Sequence, residues 1–176
     1  MTLGLYNSYD PVKFHEAHRR ALARAGPLAL AYDANLATFG FPYPPELQQP
    51  ADIVQWVAGT TTIGEGGQYL IELTELGRFQ VFEFPRKGFP PQLGAMVVTT
   101  AKPEGKKSLT AAKAAAMLQA GKSILLVFGL GPHGLEETAV GALAGYHLDI
   151  TGKGYSLETA TALGAVPAAI AAHLAK

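Results

Sequence analysis

The chain contains no cysteine among its 176 residues. That excludes disulfides, a thiol nucleophile and a cysteine zinc site. It has no excess of either charge, with 14 Lys+Arg against 14 Asp+Glu. A protein that grips a phosphate backbone by electrostatics carries a basic surplus, so neutrality weighs against tight RNA binding by one copy acting alone. A local basic patch is still compatible with it. There is no apolar run long enough to span a bilayer, and residues 1–9 lack the basic start and apolar stretch of a signal peptide. A cytoplasmic location is the expectation. Asparagine occurs only twice while proline occurs 12 times, a weak thermophile-like bias. What is abundant is apolar side chain, at 48%, enough for a substantial core in a single domain spanning residues 1–176.

Apolar runs and punctuation give the element order. Residues 3–6 read as a buried strand. Asp10-Pro11 opens a helix that Gly26-Pro27 is expected to stop near residue 25, and residues 28–32 read as a second strand ending at Asp33. Strand, helix and strand at this spacing form a βαβ unit, which predicts a mostly parallel sheet with helices on both faces. Residues 35–50 read as loop and 51–58 as helix. Residues 59–67 form a glycine-rich connection, 69–76 are ambiguous, and 78–84 alternate as a strand does. Residues 95–100 read as a strand. Ser108 is placed as the cap of a helix running to about residue 120. The nearly all-apolar run 123–128 has the pattern of a central parallel strand. A short helix is expected after His133 and a last strand at 146–150. A final helix is expected from Ser156, broken near Gly164 and Pro167.

Parallel strands place their C-terminal loops on one edge of the sheet, where open α/β sheets bind ligands. Three such loops stand out. The first holds Thr99, Thr100 and Ala101. The second holds Phe128, Gly129, Leu130, Gly131, Gly134 and Leu135. The third holds Ile150, Thr151, Gly152, Gly154, Tyr155, Ser156, Leu157 and Thr159. They offer many backbone donors and acceptors and few charges, which suits an adenine or ribose. No P-loop Lys-Ser/Thr pair is present to cradle a triphosphate.

Gly129, Gly131 and Gly134 also spell G-x-G-x-x-G, with Asp149 following 20 residues after Gly129. Alone, that is a dinucleotide-binding fingerprint and implies an NAD-dependent oxidoreductase. Its position argues against it. The fingerprint opens a Rossmann domain, yet here little more than one strand and one helix follow, and Pro132 removes an N–H from the loop.

The succession TTAKP, FGLGPHGL and DITGKGYSLETATALGAV resembles the C-terminal core of the SPOUT methyltransferases over about residues 94–174, and is similar to an uncharacterised archaeal branch of them. The resemblance implies a deep trefoil knot and S-adenosylmethionine bound among the three loops. It further implies methyl transfer to RNA (tRNA or rRNA) and a homodimer with its pockets at the interface. The chain departs from the pattern at Pro132-His133 and at Ser156-Leu157-Glu158, and the N-terminal motif with its catalytic arginine is not evident. A non-catalytic S-adenosylmethionine- or nucleotide-binding protein therefore stays an alternative. Candidate proton acceptors are His133, Asp33 and Glu65, each also readable as an ordinary loop or cap residue. Candidate substrate contacts are Asn35, Arg78, Arg86 and Lys87. No histidine has a partner set that would hold a metal.

Overall fold

A computed structural model describes residues 1–47, 49–60, 64–131, 135 and 143–174. Seven strands form one sheet in which every pairing is parallel: β1 (Thr2–Tyr6), β2 (Asn35–Phe39), β3 (Phe79–Phe82), β4 (Ala95–Thr99), β5 (Ser108–Leu109), β6 (Ile124–Gly129) and β7 (Tyr146–Leu148). Their spatial order is β3-β2-β1-β6-β4-β7-β5. The described helices are α1 (Glu16–Ala31), α2 (Pro50–Ala58), α3 (Gly66–Glu75), α4 (Ala111–Gln119) and α5 (Thr159–Leu174). The fold class is α/β with a parallel sheet, as the βαβ reading required.

Side-chain alternation along the strands divides the core in two. Leu3, Leu5, Leu36, Val97, Ile124, Leu126 and Phe128 point to one face, where the buried residues of all five described helices join them. Ala37, Phe39, Val98, Leu125 and Val127 point to the other, closed by Leu93, Leu135 and Ala144 with Phe82 and Phe89 packed alongside. Five of the six residues of β6 are buried, which explains its unbroken apolar run. The short helix expected after His133 lies outside the described residues.

Two local expectations are overturned. Gly26-Pro27 does not stop α1, which continues to Ala31, so residues 28–31 are helix and not strand, with Tyr32 as the cap. Proline forfeits one backbone hydrogen bond in a helix, but tertiary packing outweighs that loss. A Cβ on Gly26 would stand 3.2 Å from the Leu70 side chain, so the missing side chain is what lets α3 lie against α1. Leu70 is fully buried there, a contribution of about 2 kcal/mol. The second strand of the βαβ unit is instead β2, within the segment read as loop. Asn35 and Thr38 disguised it, although Leu36 and Phe39 are fully buried on opposite faces.

At the other helix ends the shifts are smaller. Thr110, not Ser108, caps α4, its side chain accepting from the N–H of Lys113 at 3.2 Å. The final helix begins at Thr159, not Ser156, and passes through Pro167 without a break. The ambiguous segment 69–76 is helical through Glu75, within α3, with Leu76 as its cap.

The chain builds outward from β1 through β2 to β3, then returns to β4 with β6 inserted beside β1. Such a reversal opens a crevice at the carboxyl ends of the strands.

Candidate functional site

A cleft of about 1120 Å³ lies at that crevice. One wall is made by the loops after β4, β6 and β7, and the other by α1 and the loop leading into it. All the loop residues expected at a ligand site line it, save Gly152, which does not, and Gly134, which lies outside the described residues.

The loop wall is held together by its own side chains. The Thr99 hydroxyl donates to the Val127 carbonyl at 2.9 Å, tying β4 to β6. The Thr159 hydroxyl donates to the Gly129 carbonyl at 2.8 Å, tying the start of α5 to the second loop. Asp149 organises the third: one carboxylate oxygen accepts from the N–H and hydroxyl of Thr151, both at 2.7 Å, and the other from the N–H of Gly154 at 3.4 Å. Partial burial pushes the Asp149 carboxyl up, but these hydrogen bonds outweigh it and hold the group below its ordinary range. Asp149 thus directs its two short hydrogen bonds, both at 2.7 Å, into its own loop, where it acts as an organiser. The glycine loop follows the sixth strand of seven, which departs from the Rossmann arrangement. Gly154 has φ +76°, a region open to glycine and costly for other residues. Gly131 is constrained differently: a Cβ there would stand 2.5 Å from the Ser8 carbonyl oxygen, so the loops after β1 and β6 meet backbone to backbone.

The opposite wall carries side chains. Glu16, Arg20 and Arg24 recur every four residues along α1 and all line the cleft. Glu16 accepts from Arg19 and Arg20, each at 3.3 Å, and Arg24 stands 4.0 Å from Glu158 across the mouth. These residues went unnoticed in the sequence. Their spacing of four was visible, but only the packed structure shows which stripe of α1 faces the loops.

A buried polar network sets that wall. The Asn7 amide donates to the carbonyls of Asp10 at 2.7 Å and Gly40 at 2.8 Å, while its oxygen accepts from the N–H of Tyr9 at 3.1 Å. His18 is fully buried. Its Nδ1 accepts from the N–H of His15 at 3.0 Å, which leaves the proton on Nε2, 3.0 Å from the Asn7 oxygen. Burial, helped by neighbouring His15, pushes the His18 pKa down to about 4, so the ring is neutral near pH 7. Beside it, His15 Nε2 stands 2.7 Å from Asp10. That hydrogen bond, with those from the N–H groups of Val12 and Lys13, holds the Asp10 carboxyl well below the usual range.

The remaining candidates lie apart from the cleft. Asp33, expected at the ligand edge, precedes β2 and therefore sits at the amino edge, because the strand thought to end there is helix. It pairs with Arg78 at 3.0 Å with its own side chain 96% exposed. Asn35 starts β2 at the same edge. Glu65 precedes α3, and Arg86 and Lys87 follow β3; none lines the cleft. His133 lies outside the described residues. Among the described residues no group of three or more His, Asp or Glu side chains could hold a metal, and no helix is long and apolar enough to cross a membrane.

Residues 1–171 match the family described as "Protein of unknown function (DUF531)". The chain belongs to this family. An uncharacterized protein of Methanocaldococcus jannaschii, MJ0224, is 44% identical over 170 residues, covering 97% of this chain and 92% of its own. Among solved structures, a probable methyltransferase from Bordetella pertussis superposes with a TM-score of 0.67 at 14% identity, covering 98% of this chain and 95% of its own. A structure concerned with 2-OH methylation of C/U34 on tRNA covers 99% of this chain and 97% of its own, with a TM-score of 0.54 at 16% identity. The SpoU methyltransferase AviRb from Streptomyces viridochromogenes, solved with AdoMet, has a TM-score of 0.53 at 14% identity over 96% of this chain and 56% of its own. The fold of this DUF531 protein is therefore that of the SPOUT methyltransferases.

Proposed function

We propose that this DUF531 protein is an S-adenosylmethionine-dependent methyltransferase acting on RNA. The observation that carries the reading is the convergence of three loops, after β4, β6 and β7 and the last two glycine-bearing, on one cleft at the switch point of a SPOUT-type sheet. Those loops suit an adenosyl group: short, glycine-opened backbone with hydroxyls nearby and no cluster of cations that would favour a polyphosphate. The volume exceeds the roughly 300–1,000 Å³ of an ordinary small-molecule pocket, which leaves room for an acceptor beside the cofactor.

The bound cofactor supplies an activated methyl on its sulfonium. The protein's part is placement, which accounts for much of the rate in such transfers. The loop wall fixes the adenosyl group through backbone hydrogen bonds, with Gly131 and Gly154 keeping that backbone close. The α1 wall faces the acceptor: Arg20, oriented by Glu16, presents a guanidinium that can stabilise negative charge developing on a hydroxyl or ring nitrogen. Arg20 thus fills the place of the arginine that the SPOUT resemblance implies and that the sequence did not reveal. The trefoil knot and a homodimer built around α5 belong to the same proposal.

Isothermal titration with S-adenosylmethionine, and separately with NADH, tests the cofactor. Saturable binding of the first alone supports the reading, and binding of NADH alone overturns it. Methyl transfer from a radiolabelled donor into total RNA then separates an enzyme from a binding protein. Arg20→Ala is expected to lower transfer by about 10²-fold while leaving cofactor affinity within a few-fold.

A further inference from the structure

Tyr9 is half-exposed, at 49%, and its side chain lines the cleft on the α1 wall. It is also held in place. Its N–H donates to the buried Asn7 oxygen, and its ring makes near-perpendicular contacts with His15, centroids 5.3 Å apart, and His18, 5.9 Å apart. A large aromatic ring left open to solvent yet fixed in orientation has lost its conformational freedom before any ligand arrives, which favours binding. Among the described residues the charges around it are balanced. Arg20, Arg24 and Lys102 line the cleft together with Glu16, Asp149 and Glu158. A cleft with no surplus of cations draws little net attraction from phosphate, which favours recognition of a nucleotide through its base.

We infer that Tyr9 is a stacking platform for the base of a single unpaired RNA nucleotide, so that the substrate class is single-stranded or splayed-out RNA. This rests on the methyltransferase reading above. Stacking needs a bare π-face, which a base inside a duplex does not offer. Tyr9 follows Ser8 where the loop after β1 meets Gly131 of the second loop, so a base on its ring would lie beside the loops proposed to hold the cofactor.

The test uses the full chain with S-adenosylhomocysteine and a single-stranded RNA of roughly ten nucleotides carrying 2-aminopurine. Stacking quenches this probe. Wild-type protein is expected to bind and quench the single strand, and to bind its duplex much more weakly. Tyr9→Ala should weaken binding by roughly fivefold or more and remove the quench, while Tyr9→Phe, which keeps the ring, should behave as wild type. Thermal melting and S-adenosylmethionine titration of each variant establish that fold and cofactor site are intact. Absence of quenching by the wild-type protein overturns the proposal whatever the variants do. So does undiminished binding by Tyr9→Ala, or equal binding of duplex and single strand. Failure of the wild-type protein to bind S-adenosylmethionine instead overturns the reading beneath it.

Discussion

The two walls of the cleft are made on different principles. The loop wall is backbone: glycines, short turns, and side chains such as Asp149 and Thr159 turned inward to hold the turns. The α1 wall is side chain: an acid and two arginines on a helix stripe and one fixed tyrosine, aimed by a buried Asn7–His18 pair. A backbone wall tolerates exchange of most side chains but not crowding, because its ligand groups are the chain itself. A side-chain wall tolerates crowding better but depends on protonation and on individual donors. Under the proposed function, the first wall places the cofactor and the second handles the acceptor.

The sharpest way to break it is at the point where the walls touch. Gly131→Val would drive a Cβ into the Ser8 carbonyl, an atom that cannot swing aside. We expect a loss of about 3 kcal/mol or more in urea unfolding, together with loss of S-adenosylmethionine binding. A variant of native stability would show that the loops need not meet.

Next is protonation of the α1 wall. His18 has its pKa lowered to about 4 in the folded protein against 6.5 in an open chain. Between those values the unfolded chain binds the extra proton, so stability falls as pH drops from about 6.5 towards 4 and is unaffected by this group above that window. The loss should approach about 3 kcal/mol, since one unit corresponds to about 1.4 kcal/mol. Asp10, held ionised by His15 and two backbone N–H groups, adds a loss of the same sign as pH falls below the ordinary carboxylate range. His18→Phe should be less stable near neutrality yet show a flatter profile between pH 4 and 6.5. An unchanged slope would place the titration elsewhere.

Within the loop wall, Thr159→Val removes one hydroxyl donor to Gly129 while nearly keeping the volume. Stability should drop by about 1 kcal/mol, and cofactor affinity should fall because the second loop is no longer tied to α5. Smallest of all is Glu158→Ala. The Arg24–Glu158 contact is 4.0 Å and largely in solvent, so chemical denaturation should show at most a few tenths of a kcal/mol. A larger effect would mean that this pair clasps the two walls together.

How far these walls could be read in advance differed for the same reason that they differ in construction. Glycine loops after apolar strands leave their mark in consecutive residues, and the three loops were found almost entire. Helix stripes do not. Glu16, Arg20 and Arg24 are ordinary surface residues until the packing of α1 decides which way each points. The errors at Gly26-Pro27 and at Asn35 have one origin too. Local propensity gave the right preference for an isolated segment, but contact between Gly26 and Leu70, and the burial of Leu36 and Phe39, overruled it. Misplacing that strand carried Asp33 to the wrong edge of the sheet.

The sequence by itself determined the class of fold and the backbone wall, because both depend on interactions between residues near in the chain: alternating burial, turn glycines, and a central strand apolar at nearly every position. Only the tertiary structure decided what faces that wall. The strand order that sets β6 beside β1, the stripe of α1 turned to the cleft, and the burial that keeps His18 neutral all arise from contacts between distant segments. No local pattern encodes them, because their energy exists only once the layers have packed.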